Sequence, residues 1–267
     1  MLKVALHYFK IDRAAWLSCA AILVLLALLA AYEVNFKPYL GMTEMLAGIV
    51  PMFAGIVWAV ALFSKEFETK SVVWSLSQDL SSSKWFFCRI ISPLISALIF
   101  GACVWGIVEV SQLRSDGLRS DGLNQVENMM SYSYIAGHAL YPAVVTVLMV
   151  SVASIAGVVF KKSIPAVAVT FALGLLVGTT GASWLNPLLP VEKGEFSGPH
   201  PDPALLPVPG DILEAEPIET GKYLVDFYPN SAFWEAQTLY TLMWLLLSLI
   251  ILVSTLFLFK RASKKAI

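Results

Sequence analysis

Six long apolar runs divide the chain, at residues 14–32, 45–64, 85–111, 135–160, 164–185 and 237–259. Each has about the length that one helix needs to cross the hydrocarbon of a bilayer. Backbone amides surrounded by lipid must bond internally, which leaves helices or a closed barrel. The runs do not alternate apolar and polar residues as barrel strands do, so the pattern predicts an all-α, polytopic membrane protein with six transmembrane helices. The first run follows Lys3, Lys10 and Arg13, as the core of a secretory leader would. It is longer than such a core and no A-x-A site closes it, so it reads as a span.

The polar segments between the runs differ in kind. Residues 1–13 form a small element of their own, with Lys3, His7 and Lys10 on one helical stripe and Leu2, Leu6 and Phe9 on another. That spacing fits an amphipathic helix lying in the membrane interface, or else a plain beginning to the first span. Residues 112–134 carry a tandem LRSDG, too short a repeat for a solenoid, which reads as a duplicated surface loop. Residues 186–236 hold nine of the 14 prolines and nine acidic residues against two lysines. Proline at that density argues against long helices and for extended or turn structure. The segment is either a solvated loop or an acidic cap that attracts cations.

Composition agrees with this reading. The 267 residues are 58% hydrophobic and 14% charged, far from the charge content of a soluble domain. Mean hydropathy is +0.73. The net charge of −1 says little, but its distribution says more. With the N-terminus in the cytoplasm, 13 of the 18 basic residues fall on the inner side, which places both termini inside a plasma membrane. Arg89, early in the third run, is then expected to snorkel to the inner interface. Trp16 and Trp85 are expected at the inner interface, and Trp184 and Trp234 at the outer one. Cys19, Cys88 and Cys103 lie in apolar runs and read as small packing residues, with no disulfide framework.

Gly174 and Gly178 are spaced for close helix approach, either within the subunit or between two subunits. Pro51 and Pro93 are candidate kinks. Thr146, Ser151, Ser154, Thr170, Thr179 and Thr180 are sparse polar groups that suit an otherwise apolar path for a hydrophobic or amphipathic cargo.

Residues 65–85 form a long inner loop that invites a functional reading. Glu66 and Lys70 stand i, i+4 and can support one another. Val72, Val73, Trp74 and Leu76 offer an apolar ridge, and the serines at 81–83 can cap the third span. Such a ridge either docks in the groove of a soluble partner or anchors in the headgroups through Trp74.

Three blocks carry a resemblance. The first is Glu66-Phe67-Glu68, Ser71, Gln78 and Lys84-Trp85; the second is Lys161-Lys162 followed by Pro165-Ala166 and Val167-Ala168-Val169-Thr170; the third is Phe233-Trp234 with Gln237. In this order and in register with six spans, the chain resembles the permease subunits of ABC-2 type transporters, in particular a group common in actinobacteria. That group often has Gly, Trp and a basic residue where this chain has Lys70, Leu76 and Ser82. The resemblance implies a single ABC-2 type transmembrane domain over 1–267, with the N-terminal helix along the inner leaflet. It implies pairing with a second permease, as homodimer or heterodimer, and two cytoplasmic ATP-binding subunits that carry ATP and Mg. Glu66, Phe67, Glu68, Ser71, Val72, Val73, Trp74, Leu76 and Gln78 would then form the ATPase-coupling interface, and export is the usual direction. No nucleic acid partner is expected.

No phosphate-loop motif is present, so this chain is expected neither to hydrolyse ATP nor to carry a cofactor; energy then comes from a partner, as the resemblance implies, or transport is passive. H-E-x-x-H and G-x-S-x-G are also missing, and His138 and His200 have no metal-type companions in sequence, so the chain is not read as an enzyme. The alternative is a non-transporting membrane immunity or sensor protein, with the same spans and no ATPase.

Overall fold

The computed structural model describes residues 2–36, 42–70, 81–118, 140–180, 191–197, 210–219, 222–229 and 233–264. In chain order the helices are α1 (Leu2–Ile11), α2 (Arg13–Phe36), α3 (Met42–Ala61), α4 (Phe63–Glu68), α5 (Ser82–Leu118), α6 (Tyr141–Phe160) and α7 (Ser163–Thr180). Three strands follow, β1 (Glu192–Ser197), β2 (Gly210–Glu219) and β3 (Lys222–Pro229), and α8 (Phe233–Lys264) comes last. Among the described residues, five helices are long and apolar enough to cross a membrane: α2, α3 with α4, α5, α6 and α8. The shorter α7 is apolar as well. Its 18 residues extend about 27 Å, close to the hydrocarbon thickness.

The bundle is organised around α6. Its sequence is apolar on every side, and small or β-branched residues dominate it, so it is buried almost end to end. No apolar stripe faces lipid, because α3, α5, α7 and α8 all pack on or around it. Lipid gives packed helices no hydrophobic incentive, so close approach of backbones does the work, and glycines permit it. A Cβ on Gly55 of α3 would stand 2.7 Å from the Cβ of Met149, and one on Gly101 of α5 would stand 2.1 Å from the Cα of Ala143. Gly157 of α6 itself faces the backbone nitrogen of Ser64 at 2.9 Å by the same construction. Gly174 of α7 meets Met52 of α3, so this glycine packs within the chain. Gly178 lies in α7, and its surroundings fall outside the described residues.

Several expectations change here. Thr146, Ser151, Ser154 and Thr170 do not line a path. They are buried inside the bundle, and each hydroxyl donates to the carbonyl four residues back. That bond satisfies the hydroxyl without any partner helix. The surroundings of Thr179 and Thr180 fall outside the described residues. Both α3 and α5 run through their prolines, Pro51 and Pro93. Helix α5 continues to Leu118, so the first LRSDG copy is helical rather than loop. Cys19 and Cys88 are buried, whereas Cys103 is exposed on the bundle surface.

The acidic, proline-rich segment adds a small sheet to the otherwise helical fold. Its strand order is β1-β3-β2, antiparallel throughout. Pro217 sits on the edge strand β2, where proline is tolerated, beside a register shift between Pro217 and Glu219. Lys193 and Asp226 pair across β1 and β3 at 3.2 Å.

Two glycines of α5 test the packing. Gly101→Ala should lower the melting point in detergent, by about 1–3 kcal/mol of overpacking. Gly106, which has open space around it, should tolerate alanine or gain up to about 1 kcal/mol from helix propensity. Equal effects at the two positions would contradict close α5–α6 packing.

Candidate functional site at the cation-rich end of the bundle

Span two does not run straight into the inner loop. It breaks at Leu62, whose φ of −83° and ψ of −137° end α3 and start α4. A break in a helix frees carbonyls that lipid cannot satisfy. Two are patched by side chains. Ser64 Oγ donates to the carbonyl of Ala59, and Arg89 Nη2 donates to that of Ala61.

Arg89 is therefore not a snorkelling residue. Its side chain is 1% exposed and has partners on three other elements. Nη1 donates to Asp12 Oδ2 at 2.8 Å, and Asp12 is equally buried. Nε lies 3.2 Å from Glu66 Oε1, an ion-pair distance without hydrogen-bond alignment. The Tyr8 ring covers the guanidinium at 4.8 Å. A lone guanidinium would be expelled toward water. Two carboxylates, a carbonyl and an aromatic face together remove that drive.

Each residue of the Glu66-Phe67-Glu68 triplet engages a different part of the bundle. Glu66 turns inward to Arg89 and is buried. Phe67 packs on Phe259 of α8, centroids 6.2 Å apart, and carries Lys161 Nζ over its ring at 5.5 Å. Exposed Glu68 accepts two bonds at the start of α7, from Ser163 N at 2.7 Å and Ser163 Oγ at 3.0 Å. A carboxylate there caps free N–H groups and complements the helix dipole. The other end of the bundle repeats the device, since Glu33 of α2 accepts from Thr43 N at 2.8 Å near the start of α3.

The expected Glu66–Lys70 support is absent for a geometric reason. Helix α4 ends at Glu68, and Lys70 takes φ +57°, so the two are not one helical turn apart. Left-handed backbone favours glycine, which the resemblance expects at this position.

Behind α4 lies an aromatic core. Phe63 stacks on Phe86 at 5.3 Å, and Trp85 stacks on Phe259 at 4.9 Å. Tyr8 meets Trp85 edge-on at 6.2 Å. Trp85 is thus fully buried rather than part of an interfacial belt, because α4 and α8 close over it. Trp16 is half-buried and donates to Ser92 Oγ at 3.3 Å. Trp234 is exposed, and Trp184 falls outside the described residues. Ser81 caps α5 as expected, through Lys84 N at 3.4 Å, and Ser82 meets Ser263 of α8 at 3.1 Å.

Of the residues read from sequence as the coupling interface, Glu66 and Phe67 face into the bundle and Glu68 stays at its surface. Ser71, Val72, Val73, Trp74, Leu76 and Gln78 lie outside the described residues. Sequence reasoning missed Tyr8, Asp12, Ser64 and Phe259. One signal was available: an aspartate and an arginine beside apolar runs require partners.

Arg89→Met should be strongly destabilising, by about 3–5 kcal/mol, since it strands two buried carboxylates. Adding Asp12→Asn and Glu66→Gln should restore most of the loss, because the buried charge disappears with its partner. Melting in detergent reads this; a triple variant no better than Arg89→Met would contradict the ion-pair account.

Residues 8–185 match the family model described as ABC-2 membrane transporter related. No curated protein and no solved structure matches the chain. The matched region covers well over half of the chain and takes in every part of the junction except its α8 side, and the chain belongs to the ABC-2 membrane transporter related family.

Proposed function

We propose that this chain is the membrane-spanning permease subunit of an ATP-driven exporter. A separate cytoplasmic subunit binds ATP with Mg and hydrolyses it. That subunit docks on α4 and on residues 71–80, whose Val72, Val73, Trp74 and Leu76 supply the apolar ridge. A second permease, identical or related, completes the path, and the cargo is hydrophobic or amphipathic.

The observation that carries this reading is the threefold attachment of α4. Through Glu66, Phe67 and Glu68 a six-residue helix reaches α5, α8 and α7. A push on α4 is thereby delivered to much of the bundle. Orientation supports it as well. The contacts of Arg89, Phe259 and Ser163 gather the ends bearing Lys65, Lys84, Lys161, Lys162, Lys260 and Arg261 at one pole, and a cation-rich pole belongs in the cytoplasm.

Purification from native membranes in mild detergent, with mass spectrometry of co-purifying proteins, tests the proposal. A stoichiometric soluble ATPase is expected. Val72→Asp with Val73→Asp should remove it while the melting point of the permease stays unchanged. Recovery of the chain without any ATPase in several detergents would overturn the proposal and favour a sensor or immunity role.

A further inference from the structure

The two arginines nearest the α1–α2 turn are treated very differently. Arg89 is enclosed by acceptors. Arg13, which opens α2, is exposed and makes no hydrogen bond or ion pair among the described residues. Arg13 lines an open, largely apolar crevice of about 350 Å³ with Phe9, Trp16 and Leu17. These four residues fall at i, i+4, i+7 and i+8, on one face of the chain across the single-residue turn at Asp12. Neighbouring bonds hold that face in place. Asp12 N–H donates to Tyr8 O and Trp16 N–H to Asp12 O, and Trp16 is fixed to α5 through Ser92. The Phe9 and Trp16 rings stand 5.8 Å apart at the crevice. Leu17, 71% exposed, extends the apolar surface along α2, and exposed Lys10 stands one turn before Arg13.

An unpaired guanidinium above an apolar, aromatic-walled crevice suits one kind of ligand. It must offer a phosphate to the planar fork and hydrocarbon to the walls. A second cation nearby favours a headgroup with net negative charge. We infer that this crevice is a binding site for an anionic phospholipid, with its phosphate on Arg13 and the start of its acyl chain against Phe9, Trp16 and Leu17. The inference requires only that the chain spans a membrane. It does not depend on the docking of an ATPase. Lipid bound there wedges between α1 and the first span, beside the Asp12 that pairs with Arg89.

The test uses the full chain reconstituted in phosphatidylcholine vesicles containing a minority of phosphatidylglycerol. After gentle re-extraction, mass spectrometry gives the ratio of the two lipids retained on the protein. Phosphatidylglycerol should be enriched over the vesicle composition. Arg13→Gln, at an exposed position, should keep the melting point and reduce that enrichment about five-fold, as expected for one surface cation. Lys84→Gln, which removes an exposed cation at the same pole outside the crevice, should leave it unchanged. Three results would each overturn the site: retained lipid of bulk composition, equal enrichment in Arg13→Gln and wild type, or equal losses in Arg13→Gln and Lys84→Gln.

Discussion

A guanidinium taken out of water has to be surrounded by acceptors, and at Arg89 those acceptors come from separate parts of the chain. Asp12 lies at the turn between α1 and α2, Glu66 lies on α4, and the Ala61 carbonyl ends α3. Desolvation makes the group costly by itself, so its position is tightly specified by these acceptors. The break at Leu62 and the burial of Arg89 depend on each other. Without the break, Ala61 would have no free carbonyl; without Arg89, that carbonyl would be left unsatisfied in an apolar setting.

The rest of the junction follows from this arrangement. Once α4 departs from α3, it lies against α6 at Gly157, where only a missing side chain leaves room. Phe63 and Phe67 then complete the aromatic core with Trp85, Phe86 and Phe259, and Glu68 reaches the start of α7. Attachment of α4 is distributed over an ion pair, ring packing and a helix cap. These are three kinds of interaction with different distance dependence. Such an element ties α5, α7 and α8 together at the cation-rich pole.

Much of the fold was legible in the sequence because lipid imposes strong rules. Apolar runs of the right length gave the spans, and proline density ruled out long helices over 186–236. The β1-β3-β2 pairing there was not legible, since register depends on contacts distant in sequence. The alternation of basic residues matched the ends that the structure gathers at one pole. The failures also share a cause. Arg89, Trp85 and the serines and threonines of α6 were assigned to interfaces or to a path from residue type alone. Their actual positions depend on which neighbours cover them. Nothing at Leu62 marks a break, for the chain has neither proline nor glycine there, and Pro51 lies within an uninterrupted α3. The triplet at 66–68 was picked out by resemblance, but the division of its three side chains among α5, α8 and α7 required the structure.

Hydrogen exchange on α1 and α4, compared between wild type and Arg89→Met, measures most directly whether this guanidinium holds the two elements to the bundle. Amides of both helices should lose protection together in the variant, while those of α6 keep theirs. If α1 or α4 retained wild-type protection once Arg89 was gone, the junction would not be what joins them.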